Sequence, residues 1–276
     1  MEVKKIVIIP DVHGRTFWKE PVMKYKNDPE VHIVFLGDYL DAYESLEYIT
    51  AEDAIVNFEE IIDIAKSSSN ITLLLGNHDL HYFPKLLDSW GCRRYNQYKH
   101  DISNMFMSNK ELFSLAYDVD IKGKKYMFTH AGILEDWFKF ITGKIESKRQ
   151  DGKTWMDFYN LSDESKNKLK SITLDAKSIN SLLTFDDGFY CTWMISRSRG
   201  GRDYAASFLW ADIHDHFDAQ FWNKESTWYK DMYQIFSHTF SYLSLDEYYL
   251  GEDFAMLDCR KAFELDCETQ KIYEFV

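Results

Sequence analysis

Five short apolar runs along the chain share one kind of ending. Residues 5–9 lead through Pro10 into Asp11-Val12-His13-Gly14, residues 31–36 into Gly37-Asp38-Tyr39-Leu40-Asp41, and residues 71–75 into Gly76-Asn77-His78-Asp79. Further on, residues 126–129 lead into His130-Ala131-Gly132, and residues 233–237 into His238-Thr239. Ile6 to Ile9 do not alternate with polar residues, which predicts a strand buried on both faces, as inside an α/β sheet. Helical spacing fills the gaps. Residues 17–27 predict a short helix. Ala54, Ile55, Phe58, Ile61, Ile62 and Ala65 predict an amphipathic helix over 51–66, with Glu52, Asp53, Glu59, Glu60 and Asp63 between them. Strand and helix in alternation predict an α/β sheet, which binds ligands beyond the carboxyl ends of its strands.

The remaining pattern is less regular. Residues 80–110 read as irregular and helical, with Tyr82, Phe83, Trp90, Tyr95, Tyr98 and the pair Arg93-Arg94, and are expected to form one wall of a cleft. Residues 112–120 and 124–129, joined at Lys122-Gly123, predict a hairpin feeding His130. Residues 135–205 are helical and polar in pattern, with a Lys/Glu/Ser-rich piece at 145–178, and are expected to make an elaborated cap or wall that sets substrate choice. Residues 254–258, 262–265 and 271–275 read as a meander of short strands, expected to build a second sheet.

Composition narrows the possibilities. A chain of 276 residues with 45% hydrophobic and 17% aromatic content has material for one large core, so one domain is expected over 1–276. The net charge of −13 argues against a nucleic-acid partner, because such proteins carry a basic footprint. Four cysteines without a CxxC pair fit a reducing cytoplasm. Neither a signal-peptide pattern nor an apolar stretch of the roughly 20 residues that spans a bilayer is present, so no membrane partner is expected.

Taken singly, an Asp after a strand is a turn former or helix N-cap and a lone His is a satisfied polar group. Taken together, five ordered exits ending in Asp, Asn or His supply the convergence that a metal pair needs. The series Asp11-x-His13, Gly37-Asp38-x-x-Asp41, Gly76-Asn77-His78-Asp79, His130-Ala131-Gly132 and Ser237-His238-Thr239 resembles the calcineurin-like metallophosphoesterases. Within them it looks most like the phosphoprotein-phosphatase and symmetrical diadenosine-tetraphosphate hydrolase branch, and Phe208-Leu209-Trp210-Ala211-Asp212 resembles the Leu-Trp stretch those phosphatases carry before their last metal histidine.

The resemblance implies a mixed α/β fold, two mixed sheets packed face to face with helices outside. It implies two divalent cations, one on Asp11, His13 and Asp38 and the other on Asp38, Asn77, His130 and His238, with Asp38 as the bridge. His78 would protonate the leaving oxygen and Asp41 would hold its other ring nitrogen. Imidazole and oxygen donors without thiolate suit Mn, Fe or Zn. The implied activity is phosphoester hydrolysis by in-line attack of a metal-bound hydroxide, first on a phosphomonoester, either a phosphoprotein or a small phosphoester. A dinucleoside-polyphosphate hydrolase, a small-molecule phosphodiesterase and a non-catalytic scaffold of the same fold are the alternatives.

Two positions depart from the family pattern. Ala42 stands where the phosphatases carry a phosphate-gripping arginine, which leaves Arg197, Arg199 and Arg202 as candidates, against the alternative of a solvated basic loop. Ser237 replaces the usual glycine before the last histidine, a change expected to touch local backbone geometry alone. Of the other histidines, His81 is expected to reach the cleft. Asp212-Ile213-His214-Asp215-His216 alternates as a solvated face does.

Overall fold

A computed structural model of the chain describes residues 3–42, 48–89, 92–144, 161–213, 215, 232–239 and 247–276. Its strands are β1 (Lys5–Ile9), β2 (Val31–Phe35), β3 (Ile71–Leu74), β4 (Phe113–Ser114), β5 (Tyr117–Ile121), β6 (Lys124–Phe128), β7 (Met232–Phe236), β8 (Tyr249–Leu250), β9 (Phe254–Met256), β10 (Phe263–Asp266) and β11 (Lys271–Glu274). They form two mixed sheets, ordered β11-β10-β1-β2-β3-β4 and β5-β6-β7-β9-β8. β1 to β4 run parallel, as do β6, β7 and β9, so the first sheet is antiparallel at its β10-β11 margin alone and the second sheet at both margins.

The unbroken apolar runs are explained by what lies on each side. In the first sheet Ile6, Ile8, Val34, Leu36 and Leu74 face Tyr126, Phe128, Ile235 and Ala255 of the second, forming one buried cluster between the sheets. The intervening residues Val7, Ile9, Ile33, Phe35 and Leu73 face outward onto Trp18 and Val22 and onto Ala54, Phe58, Ile61 and Ile62. Val22 belongs to α1 (Lys19–Tyr25), and the last four belong to α2 (Ala51–Ser67). Burying each such aliphatic side chain contributes roughly 1.5–3 kcal/mol. α2 starts where Thr50 accepts a hydrogen bond from Asp53 N–H at 3.1 Å, with Glu52 and Asp53 in the first turn complementing the helix dipole.

Two expectations are corrected. The stretch 112–120 is not one strand. β4 pairs with β3 in the first sheet and β5 pairs with β6 in the second, and the chain crosses between sheets at Leu115-Ala116. The crossing is held by Asn180, whose Oδ1 accepts from Leu115 and Ala116 N–H at 2.7 and 2.9 Å and whose Nδ2 donates to Ala116 O at 3.0 Å. Nor do the C-terminal strands form one meander. β9 joins β7, while β10 and β11 extend the first sheet, because the free edge of β1 accepts β10 antiparallel with Lys5 opposite Asp266. The described part of 135–205 is helical, with α-helices at Glu135–Ile141, Asp163–Lys170, Ala176–Asn180 and Asp186–Thr192. Trp90, His214, His216 and residues 145–160 lie outside the described residues. Among the described residues no helix is long and apolar enough to cross a membrane.

Candidate metal centre

β1, β2 and β3 end side by side in one sheet, and β6 and β7 end side by side in the other. The segment after each strand delivers its polar residues to a common rim. Close approach requires glycine at two points. Gly37 has φ +106°, and a Cβ there would lie 2.4 Å from Gly76 N; a Cβ on Gly76 would lie 2.1 Å from Asp38 Oδ1. Asp79 then fixes both turns, accepting from Asp38 N–H at 2.7 Å, Tyr39 N–H at 3.0 Å and Gly76 N–H at 2.8 Å. His13, Asp38, Asp41 and His238 all hold left-handed backbone, with φ between 45° and 74°. Such conformations cost about 1–3 kcal/mol each in non-glycine residues and concentrate at functional sites.

The result is two groups of ligand-type atoms that share Asp38. Those of Asp11, His13 and Asp38 lie within 4.8 Å of one another, as do those of Asp38, His130 and His238. His13 Nε2 is 3.8 Å from Asp11 Oδ2 and 3.6 Å from Asp38 Oδ2. His130 Nε2 is 3.5 Å from Asp38 Oδ2, 3.0 Å from Asn77 Oδ1 and 3.0 Å from His238 Nδ1. Donors bound about 2.1 Å from one ion stand about 3–3.4 Å apart, so the second group already has the spacing of a coordination shell. The ring orientations agree with this. Nδ1 of His13 meets Leu40 O at 2.7 Å and Nδ1 of His130 meets Leu36 O at 2.9 Å. With the proton on Nδ1, each Nε2 lone pair faces the cluster.

Electrostatics favour a cation here. Burial pushes Asp11 and Asp38 well above the usual carboxylate range, reinforced by Asp258 beside Asp11 and by Asp11 beside Asp38. Burial also pushes His13 and His238 well below the usual imidazole range, and His130 down to about 3. Crowded carboxylates and neutral imidazoles are the donor set that a divalent cation satisfies. His238 turns Nδ1 toward the cluster, and its Nε2 is buried without a hydrogen-bond partner among the described residues. The residues present fit two divalent ions.

His78 stands beside this cluster on a short α-helix, Asn77–Leu80, its ring 5.2 Å from that of His13. Its Nδ1 is 2.9 Å from Asp41 Oδ2, while Asp41 Oδ1 accepts from Tyr82 OH at 2.6 Å and from Arg94 N–H at 2.9 Å. Burial would raise Asp41, but the hydrogen bonds from His78, Tyr82 and Arg94 outweigh it and hold the carboxyl below its ordinary value.

The three candidate arginines are not brought together. Arg197 and Arg202 are exposed. Arg199 is half-buried near His238, its Nη2 2.7 Å from Thr239 Oγ1 and 2.9 Å from Asp212 Oδ2. Its Nε has no partner among the described residues. His81 does not reach a cleft surface. It is fully buried, accepts Cys92 N–H on Nε2 at 3.1 Å, and packs edge-on against Trp193 and Trp210, contacts that hold the ring inside the protein just past the end of the Asn77–Leu80 helix. The sequence places Asp79 in the Gly-Asn-His-Asp motif and Tyr82 and Arg94 in the expected cleft wall but gives none of them a role of its own. The signal available was their position a few residues after, or within the wall following, the Gly-Asn-His motif. Ser237 does more than shape its own backbone: its hydroxyl donates to Asp11 Oδ1 at 2.5 Å.

No curated protein matches the sequence. Solved structures that resemble the chain include a protein serine/threonine phosphatase from Saccharomyces cerevisiae with similarity to human phosphatase PP5. It has 14% identity and a TM-score of 0.44, with 96% of this chain and 73% of that chain covered. A protein described as a candidate diadenosine tetraphosphatase has 14% identity and a TM-score of 0.45, with 99% and 93% covered. A model of the calcineurin-like phosphoesterase family matches residues 4–218, which takes in four of the five strand exits. Given that match, this chain belongs to the calcineurin-like phosphoesterases, metal-dependent hydrolases of phosphoric esters.

Proposed function

We propose that this chain is a phosphomonoesterase working at a two-cation centre. Asp11, His13 and Asp38 hold one divalent ion, and Asp38, Asn77, His130 and His238 hold the other. Bound there, the two ions neutralise phosphoryl oxygens and make water a nucleophile near neutral pH. Manganese, iron and zinc are the ions this donor set suits. His78 delivers a proton from Nε2 to the leaving oxygen, while Asp41 accepts from Nδ1, orienting the ring and stabilising its protonated form. Arg199, anchored on Asp212 and Thr239, directs its remaining N–H groups toward a phosphoryl oxygen beside His238. Residues 135–205 act as the wall that selects the substrate within one domain.

The observation that carries this reading is the hydrogen-bonded His78–Asp41 pair set beside two ligand groups that share one carboxylate. A pure binding scaffold has no use for an oriented proton donor next to such a centre. Half-buried Trp193 and Trp210, with Trp210 6.1 Å from the ring of His238, offer faces on which a base could stack. That favours a dinucleoside polyphosphate as the second reading.

Protein reconstituted separately with Mn²⁺, Fe²⁺ or Zn²⁺ should be assayed on p-nitrophenyl phosphate, a phosphopeptide and diadenosine tetraphosphate. Turnover of the first two, with little of the third, is expected. His78→Asn should lose about 100-fold or more in kcat with unchanged metal content. Loss of the metals in that variant would mean that His78 is a ligand instead.

A further inference from the structure

Ser237 follows β7 in the second sheet, and Asp11 follows β1 in the first. Their side chains meet across the rim although they lie 226 residues apart in sequence. Ser237 is completely buried and Asp11 is 2% exposed, so no water competes for the contact. The backbone of Ser237 is pinned as well: its N–H donates to His130 O at 2.7 Å, and its carbonyl accepts from Thr239 N–H at 3.0 Å. The hydroxyl has a single proton, and it lies 2.5 Å from Asp11 Oδ1 but 3.5 Å from His130 O. It is therefore committed to the carboxylate. The other oxygen, Oδ2, is the one that faces His13 Nε2.

We propose that Ser237 is a positioning residue for the cation held by Asp11, His13 and Asp38. It engages Oδ1 of Asp11, leaves Oδ2 free for the ion, and so biases Asp11 toward coordination through one oxygen. Calcium takes six to eight oxygens and often grips a carboxylate by both, whereas transition ions accept fewer, well-directed donors. A carboxylate with one oxygen already engaged disfavours calcium. The inference rests on the two-cation reading above and adds to it a residue outside the ligand set.

The test uses chelator-stripped protein and isothermal titration with Mn²⁺, then with Ca²⁺ in competition, on wild type, Ser237→Ala and Ser237→Thr. Thermal melts of the stripped proteins establish that each variant is folded. In Ser237→Ala one of two Mn²⁺ sites should weaken about 10- to 100-fold, the range typical of a lost hydrogen bond to a ligand, and the Ca²⁺/Mn²⁺ affinity ratio should rise. Ser237→Thr, which keeps the hydroxyl, should stay near wild type. Mn²⁺ affinity within about two-fold of wild type in Ser237→Ala, or equal weakening of both ions, overturns the proposal while leaving the two-cation reading intact. A wild-type protein that binds no Mn²⁺ overturns both.

Discussion

Asp41 Oδ2 lies 2.9 Å from His78 Nδ1, and the same carboxylate accepts from Tyr82 OH and Arg94 N–H through its other oxygen. This network, to which Tyr95 N–H adds a further donor, fixes the orientation of one imidazole ring. Asp41→Asn keeps the size but replaces the carboxylate with a neutral amide, which no longer stabilises the doubly protonated ring that a proton donor must be. kcat is expected to fall about 100-fold or more with metal content unchanged, measured by steady-state kinetics alongside elemental analysis. Tyr82→Phe removes only one of the supporting donors and should cost less.

Gly76 allows β2 and β3 to exit against each other. A methyl group there would lie 2.1 Å from Asp38 Oδ1 and 2.7 Å from Asp38 N. Because Asp38 belongs to both ligand groups, Gly76→Ala should reduce bound metal at both sites together. Elemental analysis of the purified variant showing two full equivalents would contradict the bridging role given to Asp38.

Asp79 is fully buried and touches no proposed ligand atom, yet three backbone N–H groups end on it. Burial lifts its pKa to about 7, with those hydrogen bonds opposing the rise. Asp79→Ala leaves three buried donors unpaired and should destabilise the fold by roughly 3 kcal/mol or more, at about 1–3 kcal/mol per orphaned group. Urea denaturation checks this. An unchanged midpoint would show that the turns hold without the cap.

His32 gives a pH dependence away from the metal centre. It stacks on Tyr117 at 4.6 Å, its Nε2 is 2.9 Å from Thr72 Oγ1, and burial lowers its pKa to about 4. The unfolded chain takes up a proton near pH 6.5 and the folded chain only near pH 4, so the unfolded state binds more protons in that window. The His32 contribution is therefore fully present above pH 6.5, is lost progressively as pH falls toward 4, and is level below that. His32→Gln should flatten this part of the acid limb. Urea midpoints for both proteins at pH 7 and pH 4.5 provide the comparison.

Much of the centre was legible because the runs before Asp11, Asp38 and Asn77 are largely apolar and stop abruptly. Ile6 to Ile9 face two cores, and nothing but an exit turn explains Asp11 and His13 after them. The split of 112–120 between sheets was not legible, since no Gly or Pro marks Leu115-Ala116 and the crossing depends on a side chain some 65 positions later. The fate of β10 escaped for the same reason: strand partners are chosen by available edges, and a short alternating run does not reveal which edge is open. Arg199 could be separated from Arg197 and Arg202 only by its contacts with Asp212 and Thr239.

The antiparallel partnership of β1 with β10 bears on how the molecule is made. Asp11 and His13 follow a strand whose outer neighbour lies far downstream in the sequence, so a ribosome-bound chain carries an unpaired β1 margin until β10 has been made. Long-range closure of this kind slows folding. A nascent chain that has not yet reached Ser237 and β10 lacks both the hydroxyl that donates to Asp11 and the strand that closes the β1 margin.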